Sequence, residues 1–332
     1  MRTPEFWDEA PGPGANILAG LLAPVGAAID AASRVHRALA HPYRAPVRVI
    51  CVGNLIVGGA GKTPVVLALV DVLRQSGICP HIVMRGYGGR LAGPLQVDPA
   101  THDSDAVGDE ALLAAAQTPT WVARDRAAGV RVAAEAGAGA VLLDDGFQNP
   151  TVAKDLSLLV VDAAYGFGNG RLLPAGPLRE RIEAGLARAD AIVLLDGEII
   201  PRGLAGTACP ILHAALAPVN GERFAGKRVV AFAGIGRPEK FFATLRRLGA
   251  ELAAEHPYPD HHPFSDAEIA ALRAAAERER ALLVTTAKDA ARLRPEARAG
   301  VEVLEVRIEW RDRSALDALL ARVLQASGAA IG

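Results

Sequence analysis

A glycine-rich run that ends in lysine and threonine is the clearest chemical signal in this chain. The segment from Val47 to Thr63 reads VRVICVGNLIVGGAGKT, with an apolar stretch before it and a helical pattern after it. Glycines let backbone N–H groups approach phosphate oxygens, a lysine neutralises their charge, and a threonine hydroxyl can ligate magnesium. A strand, a glycine-rich turn and a helix in this order predict a phosphate-binding loop for ATP and Mg²⁺. The residues predicted to contact nucleotide are Val57, Gly58, Gly59, Ala60, Gly61, Lys62, Thr63 and Pro64.

This loop departs from the common G-x-x-x-x-G-K-T pattern at its first position, where the chain has Ile56. Gly58 and Gly59 supply the backbone freedom instead. The alternative interpretation is an ordinary glycine-rich turn between a strand and a helix. The flanking elements favour the phosphate-binding loop.

A second apolar run ends in two acids, Asp144 and Asp145. A carboxylate at the end of a buried strand beside a phosphate-binding loop commonly supports nucleotide-bound magnesium. Thr63, Asp144 and Asp145 are therefore predicted magnesium ligands. The alternative is a plain strand-end turn, because Asp-Gly favours turns.

Two further segments carry titratable groups. Asp109 and Glu110 open a predicted helix, where acids often only complement the helix dipole. The proline-rich loop His256–Phe264 contains Asp260, His261 and His262. Such a loop could bind a metal, hold a general base or simply be solvated, although its spacing does not fit a structural zinc site.

Two further loops are rich in glycine. Arg85–Arg90 follows the end of a predicted strand, and Leu172–Glu180 caps the next predicted helix. Each could be a plain turn. An arginine on a glycine-rich loop at a strand end also suits an anionic substrate.

These segments need a scaffold, and the first two hundred residues alternate continuous apolar runs with helical patterns. Continuous apolar strands separated by helices predict a parallel sheet covered on both faces, as in P-loop NTPases. A shorter βα series follows, beginning at Arg228. We therefore predict an α/β fold with a main domain at 41–210 and a smaller α/β domain at 211–332. The segments Ile211–Ala217 and Val301–Ile308 could pair as a two-stranded bridge between them.

The composition limits the partners. The chain has 332 residues, of which 51% are hydrophobic, and a net charge of −1. This charge gives no general attraction to nucleic acid, so no nucleic-acid partner is expected. Three scattered cysteines without a CxxC pair indicate a reducing, cytosolic compartment. No obligate protein partner is evident.

Residues 10–29 carry no charge, and apolar residues recur at helical spacing from Asn16 to Leu39. Asp8 and Glu9 occupy the place where a signal peptide would be cationic. An apolar helix followed by arginines suits a helix that lies on a bilayer. The alternative is a helix docked on the protein's own core. Residues 1–40 are thus a candidate membrane-associating region.

Taken together, the motifs resemble the tetraacyldisaccharide 4'-kinase family, the lipid A 4'-kinases of Gram-negative bacteria. The resemblance runs nearly end to end. It covers Pro42–Arg44, Val52–Leu55, Val57–Pro64, Arg85–Gly89, Val107–Glu110, Asp144–Gln148, Leu173–Glu180, Phe232–Gly236, Asp260–His262 and Thr286–Asp289.

The resemblance implies a peripheral or monotopic kinase at the cytoplasmic face of the inner membrane. Its acceptor would be the 4'-hydroxyl of an acylated glucosamine disaccharide 1-phosphate, and its product lipid IVA. Asp109 and His261 would form a catalytic pair, and Lys62, also catalytic, would act with Thr63 at the nucleotide. Two positions, Asn149 and Ala287, depart from the family pattern, which expects His and Glu. The predicted substrate contacts are Arg85, Tyr87, Gln148, Arg179 and Glu180.

The main alternative is a membrane-associated switch ATPase with a protein partner. Such ATPases carry a lysine at the start of K-G-G-x-G-K-[ST], where this chain has Val57. A GTPase is also disfavoured, because Lys288 comes one place late for the guanine-binding N/T-K-x-D motif.

Overall fold

The computed structural model describes residues 4–7 and 13–325, so parts of the predicted N-terminal region (1–3 and 8–12) and residues 326–332 lie outside it. The helices are α1 (Pro13–Leu39), α2 (Lys62–Gln75), α3 (Ser104–Val107), α4 (Asp109–Ala115), α5 (Arg126–Glu135), α6 (Ile182–Leu186), α7 (Pro238–Arg247), α8 (Asp266–Glu279), α9 (Ala287–Arg292), α10 (Pro295–Arg298) and α11 (Arg313–Gln325). The strands are β1 (Arg48–Gly53), β2 (Pro80–Met84), β3 (Leu95–Gln96), β4 (Thr120–Val122), β5 (Ala140–Asp144), β6 (Leu156–Asp162), β7 (Ala191–Leu195), β8 (Ile211–Pro218), β9 (Arg228–Ala233), β10 (Glu251–Pro257), β11 (Leu282–Thr286), β12 (Val301–Leu304) and β13 (Val306–Trp310).

The larger sheet has nine strands in the order β13-β8-β7-β6-β1-β5-β2-β4-β3. Its strands from β8 to β4 run parallel, and only the edge pairs β13–β8 and β3–β4 are antiparallel. β1 lies in the middle, with Val52 in register with Asp144 of β5. The glycine-rich loop after β1 and the acids after β5 therefore emerge side by side, at the carboxyl edge where open α/β sheets bind ligands.

Both faces of this sheet are covered, as the continuous apolar strands predict. On one face Ile50 and Val52 of β1 pack with Leu69 of α2. On the other face Val49 and Cys51 join a second core that includes Val130 of α5. The predicted P-loop-type fold is confirmed.

A second, four-stranded parallel sheet has the order β10-β9-β11-β12. Helix α7 covers one face of this sheet through Phe241 and Phe242, and α8 covers the other through Ile269 and Leu272. This sheet is the smaller α/β unit that the sequence predicts.

The second segment predicted for the bridge, Val301–Ile308, divides between β12, which pairs with β11 in the smaller sheet, and β13. The first segment, Ile211–Ala217, lies in β8, which pairs with β13. β8 also pairs with β7, so both strands extend the larger sheet. Helix α11 returns to the same side, since Leu316, Leu320 and Val323 join the core of the larger sheet. The division of the chain at residue 210 stays a prediction, and the sheet pairing assigns the C-terminal helix to the first unit.

Helix α1 lies against the larger unit with a narrow inner face. A Cβ on Gly26 would come within 2.8 Å of the Leu173 carbonyl oxygen, so the close approach requires glycine. Asp30 is 1% exposed on the same face, whereas Leu21 is 72% exposed on the opposite one. By length and composition alone, the segment Asn16–Leu39 is long and apolar enough to cross a membrane. Only 17% of its most apolar 18-residue stretch is buried within the protein. This exposure argues against the alternative of a helix whose apolar side enters the protein core.

Candidate active site

The glycine-rich loop ends at the first turn of α2. Gly61 precedes the helix with a φ of 79°, a left-handed conformation that glycine adopts without steric cost. Lys62 and Thr63 follow at the helix N-terminus, where free backbone N–H groups and the helix dipole favour phosphate. The predicted nucleotide-binding residues therefore lie in the loop up to Gly61 and in the first turn of α2.

Thr63 connects this loop to the end of β5. Its hydroxyl donates a 2.9 Å hydrogen bond to Oδ2 of Asp144. Oδ1 of Asp144 is buried and has no hydrogen-bond partner among the residues that the structure describes. Burial, reinforced by the charge of Glu110, raises the pKa of Asp144 to about 7. A buried carboxylate oxygen without a hydrogen-bond partner is costly. Together with the neighbouring threonine hydroxyl, it offers the oxygen ligands that Mg²⁺ prefers.

The next residue, Asp145, has the positive φ of 53° that non-glycine residues rarely adopt. Lys62 Nζ lies 3.7 Å from its Oδ1, and Arg179 Nη1 lies 2.9 Å from the same oxygen. Burial opposes ionisation, but Lys62 and Arg179 outweigh it and lower the pKa of Asp145. Asp145 is thus a charged carboxylate shared between the phosphate-binding loop and the Arg179 loop.

Glu180 is 0% exposed and is held by side chains on three sides. Its carboxylate accepts two 2.8 Å hydrogen bonds from Arg188 and one of 3.1 Å from Gln148. Arg37 of α1 pairs with it at 3.4 Å. Gln148 also accepts a hydrogen bond from Arg179. Both carboxylate oxygens of Glu180 are thus occupied by protein side chains. Its predicted contact with substrate stays a prediction.

The Arg85–Arg90 loop packs tightly on the turn that precedes Asp109. A Cβ on Gly108 would lie 2.4 Å from the Tyr87 carbonyl oxygen, so this approach tolerates only glycine. The Tyr87 ring is exposed, and its centroid lies 5.2 Å from that of His261. Arg85 is exposed at the end of β2. This loop brings Tyr87 beside the predicted catalytic pair.

Asp109 and His261 meet across the two units. His261 Nδ1 lies 3.2 Å from Oδ2 of Asp109, and the aspartate side chain is only 4% exposed. His261 has a φ of 59°, again a positive value in a non-glycine residue. Strained backbone of this kind persists where the surrounding structure demands it, often at functional sites.

The loops of the second unit also reach the phosphate-binding loop. A Cβ built on Gly236 would lie 3.6 Å from the Gly59 nitrogen and 3.5 Å from Oδ2 of Asp260. The Asp260–His261 turn and the phosphate-binding loop therefore lie on either side of Gly236, close to one another. The structure thereby brings the predicted catalytic, nucleotide and magnesium residues to one place.

The electrostatics of Asp109 favour its charged form. Burial raises the pKa of this carboxyl, but the hydrogen bond from His261 and the charges of Lys288 and Arg292 outweigh it, and the net effect is a lowered pKa. The lowered pKa favours the ionised form of Asp109, and the cations around this carboxylate exceed what an acid at a helix N-terminus requires.

A sequence profile described as tetraacyldisaccharide-1-P 4'-kinase matches residues 18–325 of this chain. The chain belongs to the tetraacyldisaccharide-1-P 4'-kinase family. A relative named tetraacyldisaccharide 4'-kinase from Rhodospirillum centenum is 54% identical, over 98% of this chain and 97% of its own length. One of the same name from Paramagnetospirillum magneticum is 52% identical, over 97% and 99%.

A solved structure supports the same family. It is described as the "apo" form of LpxK from Aquifex aeolicus in complex with ATP. Its TM-score is 0.76 at 27% identity, over 92% of this chain and 99% of that chain. The predicted family, the kinase class and the place in lipid A biosynthesis are confirmed.

Several contacts around the predicted site residues are not in the sequence predictions. Lys288 and Arg292 of α9 contact the Asp109–His261 pair, and Arg37 of α1 reaches Glu180. The only sequence signal for Lys288 is its position after a strand, in Thr286–Asp289. Asn149, one of the two departures from the family pattern, uses its side-chain oxygen within its own turn, accepting from Thr151.

Proposed function

We propose that this kinase transfers the γ-phosphoryl group of ATP to the 4'-hydroxyl of a tetraacyl glucosamine disaccharide 1-phosphate, with Asp109 as the general base. The acceptor oxygen forms a bond to the γ-phosphorus, the bond from that phosphorus to the β–γ bridging oxygen breaks, and the hydroxyl proton passes to Asp109. The observation that carries this proposal is the 3.2 Å contact between Asp109 Oδ2 and His261 Nδ1 beside the phosphate-binding loop.

The two residues of the proposed catalytic pair belong to different units. Asp109 opens α4 on the first unit, and His261 lies on a loop of the second. The imidazole contacts the carboxylate at 3.2 Å and holds it in one orientation. Closure of the two units around the nucleotide would then bring the assembled pair to the acceptor hydroxyl.

The nucleotide would bind along the glycine-rich loop, with Lys62 at the β- and γ-phosphates. Mg²⁺ would be held by Thr63 and Asp144, with Asp145 beside them, and would neutralise charge on the phosphates. Among residues 4–7 and 13–325, no group of three or more His, Cys, Asp and Glu is arranged as metal ligands. A few protein oxygens completed by phosphate and water are the usual magnesium environment in kinases.

The acceptor would enter between α1 and the larger unit. A cleft of about 340 Å³ lies there, and His36, Arg37, Gln148 and Arg179 line it. Two guanidinium groups suit an acceptor that carries a phosphate. Arg179, which lines this cleft, pairs with Asp145 at the phosphate-binding loop. A headgroup bound in the cleft would therefore lie close to that loop.

Helix α1 would lie on the membrane and present this cleft to the lipid. Its outer face is a continuous apolar stripe, while its end is basic. Such a helix binds an anionic bilayer through buried apolar area and electrostatic attraction. The cytoplasmic face of the inner membrane is the proposed location, since ATP is available there. The exposed apolar residues of α1 are Ile17, Leu18, Leu21, Val25, Ile29, Val35 and Leu39.

The experiment is transfer from γ-labelled ATP to purified tetraacyldisaccharide 1-phosphate in mixed micelles, with wild type and Asp109→Asn compared. We expect label in a lipid bearing a 4'-phosphate, and loss of at least about a hundredfold in kcat for the variant. Label released as inorganic phosphate with no acceptor dependence would instead indicate a switch ATPase.

A further inference from the structure

We propose that Lys288 and Arg292 of α9 are positioning residues that hold the Asp109–His261 pair in its productive arrangement. This inference rests on the proposed function, in which Asp109 is the base. The two cations are four residues apart and so lie on one face of the helix. Both reach across the boundary between the two units, although neither needs to touch the acceptor or the nucleotide.

Lys288 fixes the tautomer of His261. Its Nζ lies 3.2 Å from Nε2 of the imidazole. An ammonium group has donors and no acceptor, so Nε2 must accept this hydrogen bond. The proton of the neutral ring then resides on Nδ1, which points at Asp109 Oδ2 from 3.2 Å. Lys288 thus makes His261 a hydrogen-bond donor to the carboxylate.

Arg292 fixes the carboxylate itself. Its Nε donates a 2.7 Å hydrogen bond to Asp109 Oδ2, and its side chain is only 5% exposed. Nη1 donates to the Gly234 carbonyl oxygen at 2.8 Å. The same carbonyl accepts the backbone N–H of His261 at 3.1 Å. One guanidinium therefore connects the aspartate to the loop that carries its histidine partner.

The surroundings of Lys288 keep it charged for this role. Its Nζ lies 3.2 Å from Glu110 and 3.3 Å from Asp260. Burial lowers the pKa of Lys288, but the carboxylates of Glu110, Asp109 and Asp260 outweigh burial and raise it overall. Arg292 is the like charge that faces it. The ammonium group therefore remains a donor throughout the neutral pH range.

Loss of the Lys288 donor frees the ring to place its proton on Nε2. Nδ1 would then present a lone pair to the Asp109 carboxylate, and the hydrogen bond would be replaced by repulsion. We expect Lys288→Met to lower kcat by at least about tenfold. The KM for ATP should remain unchanged, because the nucleotide contacts of the phosphate-binding loop are intact.

The test compares wild type, Lys288→Met, Lys288→Arg and Lys240→Met in the acceptor-dependent assay. Lys240 is a matched control, because it also forms an ion pair across the two units, with Asp162, away from Asp109. We expect Lys240→Met to retain kcat and Lys288→Arg to recover much of it. In parallel, ¹⁵N NMR of the imidazole nitrogens, assigned with His261→Ala, reports the tautomer of His261 directly.

The inference predicts protonated Nδ1 in wild type and a shift toward protonated Nε2 in Lys288→Met. Two results would overturn it: an unchanged tautomer, or a raised KM for ATP at unchanged kcat, which would make Lys288 a phosphate contact. If Lys288→Met does not fold, Lys288→Ala, which also removes the donor, and the NMR measurement decide the question. Full activity in Asp109→Asn would refute the proposed function, whereas an inactive Asp109→Asn beside a fully active Lys288→Met would refute this inference alone.

Discussion

Arg179 Nη1 and Asp145 Oδ1 lie 2.9 Å apart, and the same oxygen lies 3.7 Å from Lys62 Nζ. The carboxylate of Asp145 thereby joins the loop at the proposed acceptor cleft to the lysine of the phosphate-binding loop. Arg179 in turn contacts Gln148, which contacts Glu180, the partner of Arg37 on α1. A chain of charged and polar contacts therefore runs from the proposed membrane helix to the proposed nucleotide site.

Lys62 lies at the N-terminus of α2, and its only ion-pair partner among the described residues is Asp145. Lys62→Ala should lower turnover by at least about a hundredfold, or ~2.7 kcal/mol of barrier, because a cation at the transferring phosphoryl group is lost. Steady-state kinetics and thermal unfolding measure the two effects. Lys227→Ala, at an exposed position, is the control that should change neither. A folded Lys62→Ala with more than a tenth of wild-type activity would remove Lys62 from the site.

The outer face of α1 should bind membranes. The double variant Leu21→Glu with Val25→Glu should release the protein from anionic vesicles in a sedimentation assay. Charge is costly on the side of an interfacial helix that enters the bilayer. Activity on a detergent-dispersed short-chain acceptor should survive better than activity on vesicles. The matched control is Gly20→Glu with Ala27→Glu, which adds the same charge at two exposed positions on another side of the helix. Equal vesicle binding by both double variants would contradict the assignment.

Glu180 should be a stability element. Arg188→Met leaves a fully buried carboxylate with only Arg37 and Gln148, and breaking a buried pair in this way should cost about 2–4 kcal/mol. Urea unfolding measures this loss. Arg307→Met, which breaks an exposed pair with Glu309, should change the free energy of unfolding by less than about 0.5 kcal/mol. Equal stability of the two variants would mean that Glu180 does not depend on Arg188.

The pH dependence of kcat/KM should report on His261. His261→Ala removes a hydrogen bond that lowers the pKa of Asp109, so this pKa should rise in the variant. A base works only when ionised, and therefore the acid limb of kcat/KM should move to higher pH. His262→Ala is the control, since that ring contacts Glu268 and leaves Asp109 untouched. An acid limb that stays in place or moves to lower pH in His261→Ala would contradict this explanation.

Much of the site follows from local sequence. The glycine-rich loop and Asp144 come directly after strands, and strand ends of one parallel sheet meet at one edge. The sequence alone left Asp109 as a possible dipole acid, and only the family resemblance paired it with His261. Their contact joins residues 152 positions apart (261 − 109), through packing of two separate units.

The remaining features depend on packing that local patterns do not encode. Lys288 and Arg292 read as ordinary surface charges of a short helix until α9 is placed against α4. In α11, Leu316 and Leu320 show helical spacing, but nothing in that spacing says that the helix returns to the first core. The sequence also left open which side of α1 packs on the protein. That side is set by the close approach of Gly26 to the Leu173 carbonyl oxygen.

A double-mutant cycle measures whether Asp109 and His261 act as one unit. kcat is measured at saturating ATP and acceptor for Asp109→Asn, His261→Ala and the double variant. Both single variants should lose kcat strongly with little change in the KM for ATP. Because residues that act together are not additive, the double variant should be scarcely worse than the poorer single variant. Fully additive losses, or near-wild-type activity in Asp109→Asn, would contradict the account.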